Sequence, residues 1–324
     1  MDIIATLGCS CTGSQLDSTI EKCLKAGVEF FRFNLSKYDN KNRLYERALE
    51  ILRIKNRYKT VKVMLDIPFP YQKPRIFINN NDKQLFLKKH DVIHIYSNHE
   101  SEIYIDALDF KLIKPNDSFI YSDGNAIFRI KTVFSDYFIA QIENDCLIQS
   151  TKSLTLGTLI RNQNLNHYIE IIKMIRPNSV ALSFVEHVND VLVIKEEINF
   201  DVEFISKIES DQGLNGISSI AEISSLMVAR GDLVLNSNFL ELCLNQDLII
   251  QQARTHKQNY YIATGILDTL NHRSIPSPAE ICDLYNIISK NPTGIILNYD
   301  AVKTNISKAA QIINEMCKDL KCEN

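Results

Sequence analysis

The feature that most constrains the fold of this 324-residue chain is an alternation of strand-like and helix-like segments, which occurs in two stretches. Up to residue 66, three strand-like runs are separated by segments whose apolar residues recur at helical spacing. After Gly157 the alternation provides five further strands. Alternating strands and helices form parallel sheets with right-handed crossovers. Eight such units predict an α/β protein with a (β/α)8 TIM barrel.

The segment between the two stretches predicts a second, all-β domain. Pro68, Pro70 and Pro74 interrupt the alternation, and the short apolar runs that follow are separated by turn-forming residues without a convincing helix. Several short strands at this spacing favour a small β-barrel or sandwich. We therefore expect a (β/α)8 barrel formed by residues 1–70 and 157–324, with a β-barrel domain, residues 71–156, inserted after the third strand.

Composition excludes several other classes of protein. Hydrophobic residues make up 45% of the chain and charged residues 23%, as in folded globular proteins rather than disordered ones. The 36 basic and 39 acidic residues nearly balance, so we expect no general affinity for nucleic acid or for membranes. No apolar run approaches the roughly 18 to 20 residues of a membrane span. The Met1-Asp2 start lacks the basic region of an export signal, so we expect a cytoplasmic protein.

Polar residues follow several predicted strands at the ends where (β/α)8 barrels carry their functional groups. Because successive strand residues point to opposite faces, Arg32, Asn34 and Ser36 share a face at the end of the second strand. Lys207 and Glu209 share a face at the end of the fifth strand for the same reason. Three further polar strand ends would surround the same mouth: Asp66, Arg230-Gly231-Asp232 and Thr264.

These residue types favour a site for a cation and a phosphate group. Glu209 and Asp232 supply carboxylates from adjacent strands, which suit Mg²⁺ completed by water and substrate oxygens. Arg32 and Lys207 add positive charge that could hold a phosphoryl group and neutralise charge as it transfers. The Arg230-Gly231-Asp232 turn could present backbone N–H groups to an anion. The alternative is an internal Lys207–Glu209 salt bridge, since buried charge needs a partner.

Several segments resemble the pyruvate kinase family, in the order found in that family. Arg32-Phe33-Asn34-Leu35-Ser36 resembles its R-x-N-x-S strand, and Ser206-Lys207-Ile208-Glu209 resembles its K-I-E segment. The most specific match is Met227-Val228-Ala229-Arg230-Gly231-Asp232-Leu233, which is similar to the M-V-A-R-G-D-L signature. The resemblance covers nearly the whole chain. It implies a transferase that moves a phosphoryl group between phosphoenolpyruvate and ADP in glycolysis, giving pyruvate and ATP, and a β-rich lid after the third barrel strand.

The resemblance also implies roles for particular residues. Mg²⁺ or Mn²⁺ would be bound by Glu209 and Asp232, while Arg32 and Lys207 would contact the phosphoryl group. Thr264 would line the pocket near the enolate carbon. The substrate-binding segment would comprise Ala229, Arg230, Gly231, Asp232 and Thr264. The nucleotide would lie near Arg75, Lys152 and Asn34, and an optional K⁺ site would be formed by Asn34, Ser36, Asp66 and the carbonyl of Ile67.

The sequence also departs from the family, which leaves three functions open. It has no counterpart of the family's C-terminal domain, so we expect none of the effector regulation that this domain carries. Positions on the nucleotide side and rim differ; for example, Pro278 replaces an arginine and Gly265 a glutamine. The alternatives to a pyruvate kinase are a diverged barrel enzyme that binds another 2-oxo acid or enol phosphate through the same metal site, and a non-catalytic protein. The sequence also leaves the oligomeric state open. One arrangement is a homodimer formed through outer helices such as residues 239–256.

Overall fold

The computed structural model describes residues 1–38, 41–106, 108–155, 160–162 and 164–322, and the chain divides into two compact units. The barrel unit comprises Met1–Pro70 and Gln163–Asn324, and the inserted unit comprises Tyr71–Asn162. From the sequence we expect the second junction after residue 156. It lies instead after Asn162, because the short strand Ile160–Arg161 pairs antiparallel with Tyr71 and Gln72. Residues 156–159 lie outside the described residues.

The barrel unit begins with three parallel strands that alternate with two helices, as the sequence predicts. They are β1 (Asp2–Leu7), α1 (Gly13–Lys25), β2 (Phe30–Asn34), α2 (Lys41–Arg57) and β3 (Lys62–Gln72). Contrary to expectation, β3 continues through Pro68 and Pro70. Its pairing with the next parallel strand shifts at this point, where Leu182 lies opposite Ile67 but Ser183 lies opposite Pro70. Prolines are tolerated at such irregularities because no ladder N–H is required of them.

The inserted unit is all-β, with no α-helix among its described residues. Its strands are β4 (Arg75–Ile78), β5 (Gln84–Leu87), β6 (Val92–Tyr96), β7 (Ile103–Ile105), β8 (Ser118–Tyr121), β9 (Ala126–Val133), β10 (Tyr137–Ile142), β11 (Cys146–Gln149), β12 (Lys152–Thr155) and β13 (Ile160–Arg161). Seven of them close a barrel in the order β10-β6-β7-β4-β12-β8-β9, and β5 pairs with β11. This barrel has its own core, which includes the large buried side chains of Phe119, Phe128 and Phe138.

The second half of the barrel unit completes the (β/α)8 barrel. Its elements are α3 (Leu165–Ile175), β14 (Ser179–Ser183), α4 (Val188–Lys195), β15 (Glu203–Ile208), α5 (Asp211–Asn215), α6 (Ile217–Ile223), β16 (Ser225–Ala229), α7 (Arg230–Asn236), α8 (Leu242–Thr255), β17 (Tyr260–Ala263), α9 (Pro278–Ser289), β18 (Gly294–Leu297) and α10 (Tyr299–Cys322), which is interrupted by non-helical backbone at Asn305. The eight parallel strands follow the order β1-β2-β3-β14-β15-β16-β17-β18, and β18 pairs with β1. In the part of the chain that the structure describes, no helix is both long and apolar enough to span a membrane.

Alternate strand residues form two separate apolar clusters, as expected for a barrel. One cluster packs between the strands and the surrounding helices and includes Leu65, Leu182 and Ile208. The other cluster consists of the alternate residues of the same strands, which point inward, and it fills the barrel interior. Its members are Ile4, Phe30, Met64, Ala181, Ile205, Met227, Tyr261, Ala263 and Ile296. The interior is therefore closed by side chains, and functional groups must lie beyond this layer at the strand ends.

Candidate active site

A polar layer lies two residues beyond the apolar interior layer, toward the carboxyl ends of the strands. Five interior residues are each followed by a polar residue at the next inward-facing position. The interior residues Ile4, Phe30, Met64, Ala181 and Ile205 are followed in this way by Thr6, Arg32, Asp66, Ser183 and Lys207. Strand periodicity alone therefore brings these side chains together at one mouth of the barrel.

Asp66 is the centre of this layer and is almost completely buried. The Arg32 guanidinium donates to its Oδ2 through Nε at 2.8 Å and Nη2 at 2.5 Å, and the Lys207 ammonium lies 3.3 Å from its Oδ1. Burial on its own would raise the pKa of the Asp66 carboxyl. The two cations outweigh that effect and hold its pKa below the usual range. Asp66 is therefore a permanent anion that orients both cations.

Lys207 is a buried cation with several partners. Its Nζ donates to Ser183 Oγ at 3.1 Å and lies 3.1 Å from Glu209 Oε1, in addition to its contact with Asp66. Burial alone would lower the pKa of the Lys207 ammonium, but the Asp66 and Glu209 carboxylates raise it above its ordinary value. The salt bridge with Glu209 that the sequence suggested is present. Because Lys207 stays protonated, it can stabilise negative charge but is a poor base.

Glu209 follows strand β15 and is fully buried. Its Oε2 accepts the backbone N–H of Phe184 at 2.7 Å. Its Oε1 lies near Lys207 but accepts no hydrogen bond from any residue that the structure describes. Burial raises the pKa of the Glu209 carboxyl to about 7, and the Asp232 and Asp66 carboxylates add to that rise against the effect of Lys207. Oε1 thus has the Lys207 ion pair but no hydrogen bond, and a buried carboxylate oxygen in that state indicates that a further partner is missing.

A divalent cation fits this missing partner. Asp232 is in the first turn of α7, directly after β16, and its charge acts on both Glu209 and Lys207. Glu209 and Asp232 are thus two neighbouring carboxylates, which suit Mg²⁺ or Mn²⁺ that keeps water and substrate oxygens as its other ligands. Over the described ranges, no group of three or more His, Cys, Asp or Glu residues has the arrangement of a metal site. Glu209 and Asp232 are the two candidate carboxylate ligands.

The residues of the predicted K⁺ site come from two adjacent strand ends. Asn34 pairs with Asp66 across β2 and β3, so the two residues are direct neighbours. Asn34 Oδ1 accepts the Ser36 backbone N–H at 3.0 Å and the Ser36 hydroxyl at 2.6 Å. The Ile67 carbonyl accepts the Ser183 hydroxyl at 3.1 Å. These oxygens belong to residues that are paired or adjacent in the chain. Protein donors already bind them, and Arg32 and Lys207 balance the negative charge of Asp66.

Arg230 and Thr264 are neighbours at the ends of β16 and β17. The Arg230 guanidinium donates to the Thr264 carbonyl through Nε at 2.9 Å and Nη2 at 2.7 Å, and Nη1 binds both oxygens of Asp283. These partners hold the Arg230 side chain away from the Lys207 cluster, so it is not among the charged groups that the structure brings together there. Its neighbours Ala229, Gly231 and Asp232 lie at the start of α7.

Arg75 and Lys152, the residues predicted on the nucleotide side, both belong to the inserted unit. Arg75 begins β4 and Lys152 begins β12, and these two strands pair with each other. The Arg75 guanidinium donates to the Thr151 carbonyl at 2.8 Å, and its backbone N–H donates to Asp106. The two positively charged residues are therefore close together on the inserted unit.

Sequence reasoning missed three contributors to the site. Ser183 bridges Lys207 and the Ile67 carbonyl, and the Thr6 hydroxyl accepts Arg32 Nη1 at 3.1 Å. The backbone N–H of Phe184 positions Glu209. Ser183 and Thr6 could have been found by extending the inward-facing periodicity of β14 and β1 by two residues. The Phe184 contact depends on its left-handed backbone, with φ of 52°, and the sequence gives no signal for that conformation.

Comparison with known proteins agrees with this geometry. The family model described as pyruvate kinase, barrel domain, matches residues 1–309. The chain belongs to the pyruvate kinase family. It is 27% identical to pyruvate kinase of Thermotoga maritima over 95% of the chain, 26% identical to pyruvate kinase of Borreliella burgdorferi over 84%, and 25% identical to cytosolic pyruvate kinase 2 of Oryza sativa over 93%. It spans 70%, 58% and 61% of those three proteins, respectively. The predicted family and barrel class are confirmed.

Proposed function

We propose that the protein is a phosphotransferase that moves the phosphoryl group of phosphoenolpyruvate to ADP, giving pyruvate and ATP. The observation that carries this proposal is the buried Oε1 of Glu209, which accepts no hydrogen bond although the Lys207 ammonium lies 3.1 Å away and the charges of Asp232 and Asp66 act on the same carboxyl group. A divalent cation bound there would face a site whose other groups suit an anionic phosphate ester. Membership of the pyruvate kinase family supports the same reaction class.

Glu209 and Asp232 would hold Mg²⁺ or Mn²⁺. The bound cation would act as a Lewis acid toward phosphoryl and carboxylate oxygens of the substrate. Asp66 would not be a ligand, because its two oxygens bind Arg32 and Lys207. In this proposal Glu209 and Asp232 bind the cation, and the buried Asp66 orients the positively charged side chains.

Arg32 and Lys207 would bind the phosphoryl group as it leaves the enolate oxygen and joins the β-phosphate of ADP. Both side chains are held by Asp66 before substrate arrives, and preorganised charges stabilise a transition state more effectively than mobile ones. Arg32 is slightly exposed at the mouth, with 13% of its side chain accessible, whereas Lys207 is more deeply buried. We therefore assign Arg32 to phosphoryl binding and Lys207 to the charge that develops as the bond to the enolate oxygen breaks.

The remaining predicted residues have supporting roles in the same proposal. Residues 229–232 would contact the substrate carboxylate with their backbone, and Thr264 would line the pocket near the enolate carbon, which takes a proton to give pyruvate. Arg75 and Lys152 of the inserted unit would bind the nucleotide. The K⁺ site predicted at Asn34, Ser36, Asp66 and Ile67 would require K⁺ to replace donors that these oxygens bind in the metal-free protein, among them Arg32 on Asp66 and Ser183 on the Ile67 carbonyl. We also propose a cytosolic location, supported by the name of the rice relative, and a role in glycolysis.

The test is a phosphoryl-transfer assay followed by ³¹P NMR. Purified protein is incubated with phosphoenolpyruvate, ADP and Mg²⁺, with K⁺ or tetramethylammonium as the monovalent cation. We expect equal amounts of pyruvate and ATP to form only with the divalent cation, and loss of both products in Glu209→Gln. Higher turnover with K⁺ supports the monovalent site. Absence of ATP under both conditions contradicts the proposed reaction, and binding of oxalate with Mg²⁺ would then favour a different enol phosphate or 2-oxo acid.

A further inference from the structure

Arg230 connects three elements of the barrel unit through its guanidinium. It is the first residue of α7, and it reaches the carboxyl end of β17 and the middle of α9. Its Nε and Nη2 donate to the Thr264 carbonyl, Nη2 also donates to the Gly265 carbonyl at 3.1 Å, and Nη1 lies 2.9 and 2.8 Å from the two oxygens of Asp283. A guanidinium has five N–H groups, and these five contacts account for all of them. We call this arrangement the Arg230 clip.

The clip holds a backbone conformation that Thr264 would not favour by itself. Thr264 has φ of 75° and Gly265 has φ of 72°, so both lie in the left-handed region. Glycine adopts that region readily, but a β-branched residue such as threonine does so at a steric disadvantage. Two charged hydrogen bonds to the Thr264 carbonyl fix the peptide plane that follows it. The clip therefore supplies the interaction that a left-handed threonine needs.

Asp283 is itself firmly positioned. It lies in α9, which begins with Pro278 and a capping box in which Ser277 and Glu280 exchange hydrogen bonds with each other's backbone. This cap fixes the start of the helix about one turn before Asp283. The Asp283 side chain is 38% exposed, whereas that of Arg230 is 13% exposed, so the clip is anchored at the surface and extends inward.

The position of the clip relates it to the catalytic groups. Arg230 is two residues from Asp232, a proposed metal ligand, and its guanidinium binds the carbonyl of Thr264, a proposed pocket residue. A matching contact occurs at the metal site, where the N–H of left-handed Phe184 binds Glu209. In both cases a charged side chain at one strand end fixes non-helical backbone at the end of an adjacent strand.

We infer that Arg230 and Asp283 form a positioning pair that holds Thr264 in its left-handed conformation and thereby places its hydroxyl in the substrate pocket. Neither residue needs to touch substrate for this role. The part of the inference that concerns catalysis rests on the proposed function. The part that concerns backbone conformation does not, and the two parts can be tested separately.

The conformational part is tested by the crystal structure of Asp283→Asn. An asparagine cannot balance the guanidinium charge or accept with two oxygens, so Arg230 should move and Thr264 should leave the left-handed region. A left-handed Thr264 in this variant would overturn the inference, whether or not the wild-type protein catalyses any reaction. Arg230→Lys gives an independent check, since an ammonium group has three N–H donors and cannot reproduce the five contacts of the guanidinium, and the same result is expected.

The catalytic part is tested by a double-mutant cycle with Thr264→Ala. We expect Asp283→Asn to lower kcat about tenfold in the transfer assay, with KM for ADP and the Kd for Mn²⁺ changed less than about twofold. In the Thr264→Ala background, Asp283→Asn should lower kcat by less than about twofold, because the hydroxyl it positions is already absent. A full additional tenfold loss, or equal losses in kcat and Mn²⁺ affinity, would assign the pair a general structural role instead.

Asp17→Asn is the matched control. Asp17 binds Arg53 with both carboxylate oxygens at 3.0 Å, so it makes the same type of contact between α1 and α2 on the outside of the barrel. This variant should retain kcat within about 1.5-fold. If wild type and Asp17→Asn turn over substrate and only Asp283→Asn loses activity, the positioning role is supported. Absence of turnover in all variants, with a displaced Thr264 in Asp283→Asn, would contradict the proposed reaction but not the conformational inference.

Discussion

Two glutamates at opposite ends of strand β15 show how the two ends of the barrel differ. Glu203 begins the strand, and its Oε1 accepts hydrogen bonds from Ser225 Oγ at 2.7 Å and Asn259 Nδ2 at 2.8 Å, while its Oε2 accepts from Tyr261 OH at 2.8 Å. Glu209 follows the other end, and only one of its oxygens accepts a hydrogen bond. Glu203 is thus saturated by neutral donors, whereas Glu209 retains binding capacity.

The difference follows from what each end of the barrel must do. At the amino end, hydrogen bonds between neighbouring strands hold the sheet together, and a fully bonded acid contributes to stability. At the carboxyl end, Asp66, Lys207 and Glu209 form a charged group in which burial opposes ionisation of each member. Such a group stabilises the fold poorly, so its presence indicates a ligand site. Barrel enzymes in general separate stability and function between the two ends in this way.

The largest effect we predict is that of Glu209→Gln on phosphoryl transfer. Glutamine keeps an oxygen for the Phe184 N–H, so the fold should be retained, but it removes a cation ligand of negative charge. Turnover should fall at least about 10³-fold, and the Mn²⁺ affinity measured by calorimetry should fall at least about 100-fold. Glu203→Gln is the matched control, with turnover within about threefold of wild type. Equal losses in the two variants would contradict the distinction between the two ends.

Lys207→Met is expected to have the next largest effect. Removal of the ammonium group should lower kcat about 10²- to 10³-fold, because charge on the transferring group loses a preorganised partner. Mn²⁺ should bind as tightly as in wild type or more tightly, since a positive charge next to Glu209 Oε1 is removed. The hydrogen bond from Arg32 to Asp66 does not involve Lys207, so it should be retained in this variant. A parallel loss of Mn²⁺ affinity would show that Lys207 supports the site structurally rather than acting on the substrate.

At the amino end the expected effect is on stability. Glu203→Gln replaces an acceptor oxygen by an NH₂ group that faces a donor, so it should lower the free energy of unfolding by about 1–3 kcal/mol. Urea denaturation monitored by circular dichroism measures this change. The metal-free Glu209→Gln variant should be at least as stable as wild type at pH 8, since it removes a buried charge. The reverse order of stabilities would mean that the charged group at the mouth, not the amino-end network, stabilises the barrel.

The last effect concerns pH. Burial raises the pKa of Glu209 from 4.5 to about 7, so in metal-free protein the folded state binds a proton that the unfolded state has lost within this window. The stability of wild type relative to Glu209→Gln should therefore fall as pH rises from about 4.5 to 7, by at most about 1.4 kcal/mol per pH unit. Denaturation in EDTA at several pH values measures it. A difference that grows with pH would mean that Lys207 lowers the pKa of Glu209 below its ordinary value.

Much of the barrel could be predicted because its signals are local. Apolar runs of strand length alternate with helical spacing, and each of the eight predicted strands is present. The errors lie where long-range pairing decides the structure. Strand β3 continues past Pro68 and Pro70 because the shifted pairing with β14 accommodates them, and β13 extends the inserted unit because it pairs with Tyr71 and Gln72. Neither partner is evident from the local sequence.

The charged residues of the site could also be predicted, but their interactions could not. Strand periodicity is enough to place Arg32, Asp66, Lys207 and Glu209 at one mouth. It does not reveal that Asp66 binds both cations, because the three residues lie on three different strands. The interactions of Arg230 are equally hidden, since they depend on left-handed backbone at Thr264 and on a helix more than 50 residues away in sequence.

The most direct test of the central claim is anomalous diffraction from crystals grown with Mn²⁺. We expect one strong anomalous peak within coordination distance of Glu209 Oε1 and the Asp232 carboxylate, with no peak in crystals of Glu209→Gln. A wild-type structure without density at this position, or with Mn²⁺ bound only elsewhere, would contradict the proposal that these two acids form the cation site.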